Sequence, residues 1–368
     1  MALALALGAR GLGRVWPNPA VGCVIVAPDA AGGGNGGRIV GRGWTGDGGR
    51  PHAEARALAQ AGADARGATA YVSLEPCAHH GATPPCATAL IGAGVARVVV
   101  ALGDPDPRVS GRGLAMLRGA GIAVDHGLMA AEAGALQCGF LSRIERGRPM
   151  LTLKLAASLD GRIATASGES RWITGPQARA RVHAMRAAHD AVLVGAGTAR
   201  ADDPMLTVRG IGPVPQPVRI VASRRLDLPE GGQLAQTAGQ VPLWLIHGAS
   251  AGASARARWA GVGARLIEVA ETPAGIDPLA MLAALGAAGL TRVLCEGGGQ
   301  LAAALLAAGL VDRAAVFTAG LVLGGDARPG VGALGLAALG DAPRMRLTAA
   351  EAVGADVLTL WERGPAGA

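Results

Sequence analysis

The sequence predicts an α/β protein of two domains, the first of which binds a metal ion. Short apolar runs rich in β-branched residues alternate with longer helical stretches, as in strand–helix units. The pattern is interrupted at residues 143–149, RIERGRP, which read as a linker because they are charged and contain Gly and Pro. Residues 75–86, EPCAHHGATPPC, gather cysteines and histidines, the ligands that soft metals prefer. We therefore place the domains at 1–145 and 149–368.

The elements of the first domain follow from hydrophobic periodicity and from Gly and Pro punctuation. The opening MALALALGARGLGR is interpreted as a helix, because its apolar run is short and lacks the basic flank of a secretory leader. The elements that follow are strands at 22–28 and 38–44, a helix at 52–62, a strand at 68–74, a helix at 87–94, a strand at 96–102, a helix at 111–121 and a strand at 122–127. This alternation predicts a largely parallel sheet.

The second domain repeats the alternation over roughly 220 residues. Its expected elements are strands at 150–158, 190–197, 217–223, 242–248, 290–298, 312–324 and 356–362 and helices at 176–189 and 299–309. The strand at 290–298 ends in the turn EGGG, from which the helix at 299–309 starts. A second α/β unit with its own sheet is therefore expected.

Composition and charge narrow the classes of function. Five cysteines, an odd number scattered over 368 residues, favour a reducing cytoplasm over a secreted disulfide framework. No run of 18 or more apolar residues exists, so we expect no membrane-spanning segment. A net charge of +7 is compatible with nucleic acid, but the arginines are dispersed, and six Trp, one Tyr and two Phe leave little for base stacking. Small phosphorylated ligands are therefore favoured, and a zinc-stabilised nucleic-acid-binding protein is the alternative.

One metal site is predicted from His52, Cys77 and Cys86. Pro51 suggests a helix N-terminus at His52, and Cys86 opens the next predicted helix, where the positive end of the dipole favours a thiolate. One His and two Cys leave a tetrahedral zinc ion one open position, which is the catalytic arrangement. Glu54 is too close to His52 in sequence to be an obvious ligand, so we expect it to carry a proton from water to a leaving amine.

The pattern H-x-E followed by P-C is typical of zinc deaminases, although here eight residues rather than two separate the cysteines. The alternative is a closed structural zinc knuckle within residues 77–86, which needs His79 or His80 as ligands and leaves Glu54 unexplained.

The second domain offers three candidate binding features. Lys154 is the only lysine among 34 basic residues, which suggests a need for a compact ammonium group, with chance survival as the alternative. The EGGG turn could bring backbone N–H groups to a pyrophosphate at a helix N-terminus, but it lacks the G-x-G-x-x-G spacing, and a plain tight turn is the alternative. Ser223, Arg224 and Arg225 follow a strand and could hold the 2′-phosphate of NADP; the alternative is a solvated Arg pair.

Seven stretches resemble one family, the bifunctional deaminase–reductases of riboflavin biosynthesis (RibD type). Those similar to its deaminase half are PNPAVGCVIV (17–26), PHAE (51–54), LEPCAHHGATPPC (74–86) and DPDPRVSGRG (104–113). Those similar to its reductase half are KLAASLDGRIATASGESRWITG (154–175), ADDPMLTVR (201–209) and EGGGQLAAALL (296–306). The resemblance implies a cytidine-deaminase-like zinc domain followed by a dihydrofolate-reductase-like domain.

The resemblance also implies two reactions on small phosphorylated pyrimidines. With one zinc ion per chain, the first domain would deaminate 2,5-diamino-6-(5-phosphoribosylamino)pyrimidin-4(3H)-one. With NADPH, the second would reduce the ribosyl group of the product to give 5-amino-6-(5-phosphoribitylamino)uracil. Neither nucleic acid nor a membrane is an expected partner, and a homo-oligomer is left open. The alternative enzyme is a zinc deaminase of free or polynucleotide cytosine or adenine, with the second half a scaffold.

By the same resemblance, site residues can be assigned in the second domain. The expected NADPH contacts are Ala156, Trp172, Thr198, Asp202, Ser223, Gly298, Gly299, Gln300, Leu301, Ala302, Ala303 and Ala304. The expected substrate contacts are Lys154, Ser170, Arg186, Leu206, Arg209 and Glu296. Arg186 and Arg209 would hold the phosphate with their planar forks, and Trp172 could alternatively belong to the core. Two positions of the deaminase half, Thr45 and Ala82, depart from the family, which often has a His and a basic residue there.

Overall fold

The computed structural model describes residues 1–28, 37–79 and 84–364. The chain forms two compact units, Met1–Gly147 and Arg148–Ala368. Residues 143–146, which we expected in a linker, instead form the last turn of a helix. Arg143 and Arg146 suit the negative end of that helix, and Gly147 ends it with a left-handed φ of 67°. Among the described residues, no helix has both the length and the apolar character needed to cross a membrane.

The first unit is built on a five-stranded sheet. Its elements are α1 Ala2–Ala9, β1 Gly22–Ala27, β2 Arg38–Trp44, α2 Ala53–Ala61, β3 Thr69–Val72, α3 Cys86–Ala93, β4 Arg97–Val100, α4 Arg112–Gly119, β5 Ala123–His126 and α5 Ala130–Arg146. The strand order is β2-β1-β3-β4-β5. β3, β4 and β5 are parallel, but β1 is antiparallel to both of its neighbours. The expectation of a largely parallel sheet is therefore wrong for its β1 side, where the connection from β1 to β2 is too short for the crossover that parallel strands need.

Small residues bring α2 against the sheet, and this contact places the metal-site residues. Ala53 and Ala57 are fully buried and lie one turn apart on the inner face of α2. They meet glycines of β2: a Cβ on Gly43 would lie 2.0 Å from the Ala53 oxygen, and one on Gly41 would lie 2.2 Å from the Ala57 oxygen. The N-terminal turn of α2 is thus held close to the strands.

The second unit contains a nine-stranded sheet. The strands of the whole unit, including those of two small two-stranded sheets, are β6 Met150–Ser158, β7 Arg162–Ala164, β8 Ala191–Gly195, β9 Val218–Ala222, β10 Leu243–His247, β11 Arg265–Glu268, β12 Glu271–Thr272, β13 Gly275–Ile276, β14 Arg292–Gly297, β15 Arg313–Ala319, β16 Arg328–Pro329, β17 Met345–Val353 and β18 Asp356–Arg363. Its helices are α6 Pro176–Ala187, α7 Ala196–Asp202, α8 Gln233–Gln236, α9 Ala253–Gly261, α10 Pro278–Ala287 and α11 Gly299–Ala307.

The order of the large sheet is β11-β10-β9-β8-β14-β6-β15-β18-β17. The seven strands from β11 to β15 are parallel, while β18 and β17 add an antiparallel hairpin at one edge. The carboxyl ends of parallel strands share one edge of a sheet, and ligands of such sheets bind there. The residues that follow β9, β8 and β14 therefore lie along one side of this unit.

Candidate functional sites

His52, Cys77 and Cys86 form a compact cluster in the first unit. Their ligand atoms all lie within 4.8 Å of one another, and no other such group of three is found in the described residues. His52 Nδ1 is 3.2 Å from Cys86 Sγ and 3.6 Å from Cys77 Sγ. The N–H of Cys86 donates a hydrogen bond to Cys77 Sγ at 3.3 Å. The structure therefore brings together the three side chains that the sequence suggested.

Helix ends position two of these side chains. His52 is the N-cap of α2, with extended backbone angles of φ −68° and ψ 158°. Pro51 lies before the cap, so the missing N–H of a first-turn proline does not explain where this helix begins. Cys86 is the first residue of α3, next to the unsatisfied N–H groups of that helix. Thr45 Oγ1 donates to the carbonyl of Pro19, so this hydroxyl is used within the scaffold.

The donor set fits zinc. The hydrogen bond from the Cys86 thiol, together with that from His52, lowers the pKa of Cys77 to about 4. The same contact and burial raise the pKa of Cys86. The contact with Cys77 raises the pKa of His52. One imidazole and two sulfurs are the ligands of a three-residue catalytic zinc site. His79 is not part of the cluster, and His80 and Ala82 lie outside the described residues, so the cluster does not support a closed knuckle built on His79.

Glu54 lies in the first turn of α2, one residue beyond Ala53, and is 3% exposed. Burial raises the pKa of its carboxyl group. Cys86 is close enough to hydrogen-bond with Glu54. Burial, and after it the charge of Glu54, raises the pKa of Cys23, which lies in β1 and is fully buried. A buried carboxyl group beside the cluster is suited to hold and pass on a proton.

Sequence reasoning missed the role of Glu75, which ties the segment just before Cys77 to α4. Its carboxylate accepts hydrogen bonds from the N–H groups of Gly111 at 3.1 Å and Gly113 at 3.0 Å, and so caps α4. A Cβ on Gly113 would lie 2.1 Å from the oxygen of Pro76, the residue before Cys77. The only signal in the sequence is a charged residue directly after a buried strand.

In the second unit, Arg186 and Glu296 form a nearly buried ion pair. Nε and Nη2 of Arg186 donate to the two carboxylate oxygens at 2.5 and 2.9 Å, and Nη1 donates to the carbonyl of Thr207 at 2.8 Å. Lys154 on β6 is close to both residues: burial lowers its pKa, the Glu296 charge opposes that shift, and the Arg186 charge adds to it. The expected substrate contacts Lys154, Arg186 and Glu296 thus lie close together and are partly buried. Arg209, another expected contact, is exposed.

Glycines shape the turn between β14 and α11. Gly298 has a left-handed φ of 85°, and a Cβ there would lie 2.9 Å from Thr198 Oγ1. A Cβ on Gly299 would lie 2.6 Å from the carbonyl of Pro329. The expected cofactor residues Gly299 to Ala304 form the first turns of α11, where backbone N–H groups are unsatisfied. Such a turn can bind phosphate oxygens.

Three further candidate residues, Ser170, Trp172 and Ser223, lie outside this turn. Ser170 donates a long hydrogen bond to Asp202 at 3.4 Å. Trp172 is 68% exposed, with the Arg179 guanidinium 4.6 Å from its ring centre, so it does not belong to the core. Ser223 follows β9 and donates to Asp227 at 3.0 Å.

A zinc-type cluster beside a buried glutamate is typical of a zinc deaminase, and a parallel sheet with a glycine-lined turn at a helix start is typical of a domain that binds a phosphorylated cofactor. The chain matches the family model of the cytidine and deoxycytidylate deaminase zinc-binding region over residues 1–102 and that of the RibD C-terminal domain over residues 149–359. It belongs to the RibD family of riboflavin biosynthesis proteins.

Relatives match along nearly the whole chain. The riboflavin biosynthesis protein RibD of Escherichia coli strain K12 is 45% identical, over 97% of this chain and 96% of that protein. Among solved structures, Acinetobacter baumannii RibD form 1 is 38% identical with a TM-score of 0.87, over 99% of this chain and 98% of that one. A deaminase/reductase from Thermotoga maritima is 31% identical with a TM-score of 0.84, over 99% of this chain and 97% of that one.

The protein is therefore a bifunctional deaminase and reductase of riboflavin biosynthesis. Zinc in the deaminase domain and NADPH in the reductase domain are the cofactors of this family, and both predictions from the sequence are confirmed. The alternative in which the second half is only a scaffold is wrong, because that half matches the reductase domain.

Proposed function

We propose that the first unit deaminates 2,5-diamino-6-(5-phosphoribosylamino)pyrimidin-4(3H)-one. The second would then reduce the ribosyl group of the product to give 5-amino-6-(5-phosphoribitylamino)uracil. The name of the Thermotoga maritima protein, a diaminohydroxyphosphoribosylaminopyrimidine deaminase and 5-amino-6-(5-phosphoribosylamino)uracil reductase, supports these substrates. The observation that carries the proposal is the cluster of His52, Cys77 and Cys86 with buried Glu54 in the adjoining helical turn.

In the deaminase, the three cluster residues would hold zinc, which when bound supplies a water molecule acidic enough to react near neutral pH. Glu54 takes the proton of that water and delivers it to the amino group that leaves as ammonia. Burial of Glu54 supports this role, because a carboxyl group shielded from solvent exchanges its proton with the reactants rather than with bulk water.

Two variants test the deaminase assignment. Glu54→Gln keeps the shape of the side chain and all three ligands, so we expect zinc content near that of the wild type and no ammonia release. Cys86→Ser removes a ligand, so both zinc and ammonia release are expected to be lost. Normal ammonia release by Glu54→Gln would remove Glu54 from this role. Ammonia release by a metal-free Cys86→Ser protein would remove zinc from the mechanism.

In the reductase, NADPH supplies the hydride, and the protein orients cofactor and substrate. We place the pyrophosphate at the β14–α11 turn, beside Thr198, and the nicotinamide end toward Ala156 and Trp172. One strand, β8, lies between β9 and β14, so the ends of β9 and β14 are about 10 Å apart. That separation lets the adenosine ribose reach Ser223, which favours Arg224 and Arg225 as ligands of the 2′-phosphate.

The basic residues proposed to bind the substrate differ in whether a carboxylate of the protein neutralises them. Arg186 is neutralised by Glu296, which leaves Lys154 beside the pair to contact the sugar. Arg209 is exposed and forms no ion pair with a described carboxylate, so we assign it as the main ligand of the substrate phosphate. Ser170 and Leu206 flank this region in the proposed site.

We further propose that the partners are small phosphorylated pyrimidines rather than nucleic acid and that the enzyme works in the cytoplasm. The shortage of aromatic residues and the odd number of cysteines support these assignments. A steeply salt-dependent affinity for DNA or RNA would contradict the first of them. Sedimentation of the full chain measures its self-association directly.

A further inference from the structure

Residues 203–209 carry two proposed substrate contacts, Leu206 and Arg209, without belonging to a helix or strand. Side chains hold this segment instead. Arg186 donates to the carbonyl of Thr207, and Gln216 binds Val208 twice, accepting from its N–H at 2.7 Å and donating to its carbonyl at 3.2 Å. The location of Arg209 therefore depends on individual hydrogen bonds rather than on a sheet ladder.

His183 holds the backbone of Arg209 with a hydrogen bond of the same kind. It lies on α6 three residues before Arg186, so the two side chains share one face of the helix. Nδ1 of His183 accepts a hydrogen bond from the backbone N–H of Arg209 at 3.2 Å. An imidazole that accepts through Nδ1 is neutral and has its proton on Nε2. Burial and the nearby charges of Arg186 and Arg209 lower the pKa of His183, which favours that neutral form.

The side chain of Arg209 is available to a ligand. Its guanidinium contacts the Met205 sulfur at 3.8 Å and is bonded to no carboxylate among the described residues. A guanidinium that is not neutralised by the protein is suited to a phosphate, provided that its backbone is fixed.

We propose that His183 is a positioning residue for recognition of the substrate phosphate, which it serves by fixing the backbone of Arg209. The proposal rests on the assignment of Arg209 as a phosphate ligand under the proposed function. His183 belongs to none of the cofactor or substrate contacts expected from the sequence. Its effect is exerted through Arg209, so it concerns binding of the phosphorylated substrate and leaves the chemical step unchanged.

Reductase kinetics of the full chain test this with 5-amino-6-(5-phosphoribosylamino)uracil and its dephosphorylated form. For His183→Ala we expect KM for the phosphorylated substrate to rise about fivefold to tenfold, the effect of one lost hydrogen bond, with kcat close to the wild-type value. KM for the dephosphorylated form should not change. His183→Asn keeps an acceptor near the Nδ1 position and should behave as the wild type.

The variant Arg209→Ala tests the assignment of Arg209 as a phosphate ligand separately from the role of His183. Arg209→Ala should abolish the preference for the phosphorylated substrate, and adding His183→Ala should make it no worse, because both changes act on one contact. An unchanged KM in His183→Ala, equal impairment in His183→Asn, or additive losses in the double variant would each overturn the role of His183. If Arg209→Ala keeps the phosphate preference, the assignment of Arg209 is wrong and the inference fails with it. Ammonia release and the NADPH dissociation constant report whether each variant is folded.

Discussion

Arg186 and Glu296 lie 110 residues apart in the chain and form a two-point ion pair whose side chains are 12% and 9% exposed. Lys154 lies close enough to both residues for their charges to affect its pKa. Two cations therefore share one buried carboxylate in the proposed reductase site. Such an arrangement is stable only while the carboxylate is charged, and it holds the site in one geometry.

Glu296→Gln removes the shared negative charge and leaves Arg186 and Lys154 facing each other. We expect the free energy of unfolding to fall by about 3 kcal/mol, as for other broken buried pairs. We also expect NADPH oxidation to be lost while ammonia release continues. Urea denaturation and the two activity assays measure these effects. Glu268→Gln is the matched control: its pair with Arg256 is exposed, so its stability should change by less than about 1 kcal/mol. Equal stability of both variants would contradict the proposed effect of the shared charge.

Gly113 supports the zinc cluster without touching it. In Gly113→Ala the added methyl group would meet the oxygen of Pro76 at 2.1 Å, so the loop that holds Cys77 must shift. We expect weaker zinc retention in the presence of a chelator and slower ammonia release, with reduction of the deaminated substrate unchanged. Gly119→Ala is the control on the same helix, because a methyl group there meets nothing within 4 Å. If both variants retain zinc equally, the loop tolerates the methyl group and the close approach is not required.

Arg224 is expected to discriminate between NADPH and NADH. A hydrogen-bonded charge pair with the 2′-phosphate should be lost in Arg224→Met, so the dissociation constant of NADPH should rise about tenfold or more. The dissociation constant of NADH, which lacks the phosphate, should remain the same. Titrations followed by cofactor fluorescence measure both values. Arg346→Met on β17, at the far edge of the sheet, should alter neither. A parallel loss of NADPH and NADH affinity in Arg224→Met would indicate a general effect on the fold rather than phosphate recognition.

His189 should make the second unit sensitive to acid. Burial lowers the pKa of His189 from 6.5 to about 3, and its ring lies between the carbonyl of Met185 and the hydroxyl of Thr152. The unfolded chain binds a proton at this residue near pH 6.5, whereas the folded chain does not. The contribution of His189 to stability is thus complete above that pH and is lost as the pH falls toward 3.

The free energy of unfolding of the wild type should therefore fall between about pH 6.5 and pH 4, and His189→Gln should flatten that dependence. Denaturation curves at a series of pH values provide the measurement, with His126→Gln, an exchange of an exposed histidine, as the control. An unchanged pH dependence in His189→Gln would contradict the account.

Local patterns predicted much of the fold. β2 and β6 begin and end at the expected residues, and α2 differs from the expected helix by one residue at each end, because short-range hydrophobic periodicity determines these elements. The pattern failed for α5, whose charged last turn resembles a linker, and for β17, where seven of nine residues are exposed and none is buried. The direction of β1 depends on pairing with distant strands, which a local pattern does not contain.

The site was predictable where residues of known chemistry cluster in the sequence. His52 with Glu54 and Cys77 with Cys86 belong to two such clusters. The supporting contacts were not predictable, because they join distant residues of ordinary type. Glu75 caps a helix 36 residues away, and His183 binds the backbone of Arg209, 26 residues away. Such contacts arise only when packing brings the elements together.

The central claim is that one chain deaminates and then reduces the same substrate. The most direct measurement is NADPH consumption by the zinc-replete, full-length protein supplied with the diaminopyrimidine phosphate that has not been deaminated. We expect the wild type to consume NADPH. Glu54→Gln should not, unless it is given the deaminated substrate, which should restore consumption. Wild-type consumption rates in Glu54→Gln from the diamino substrate would contradict the account, as would a wild-type protein that consumes no NADPH with either substrate.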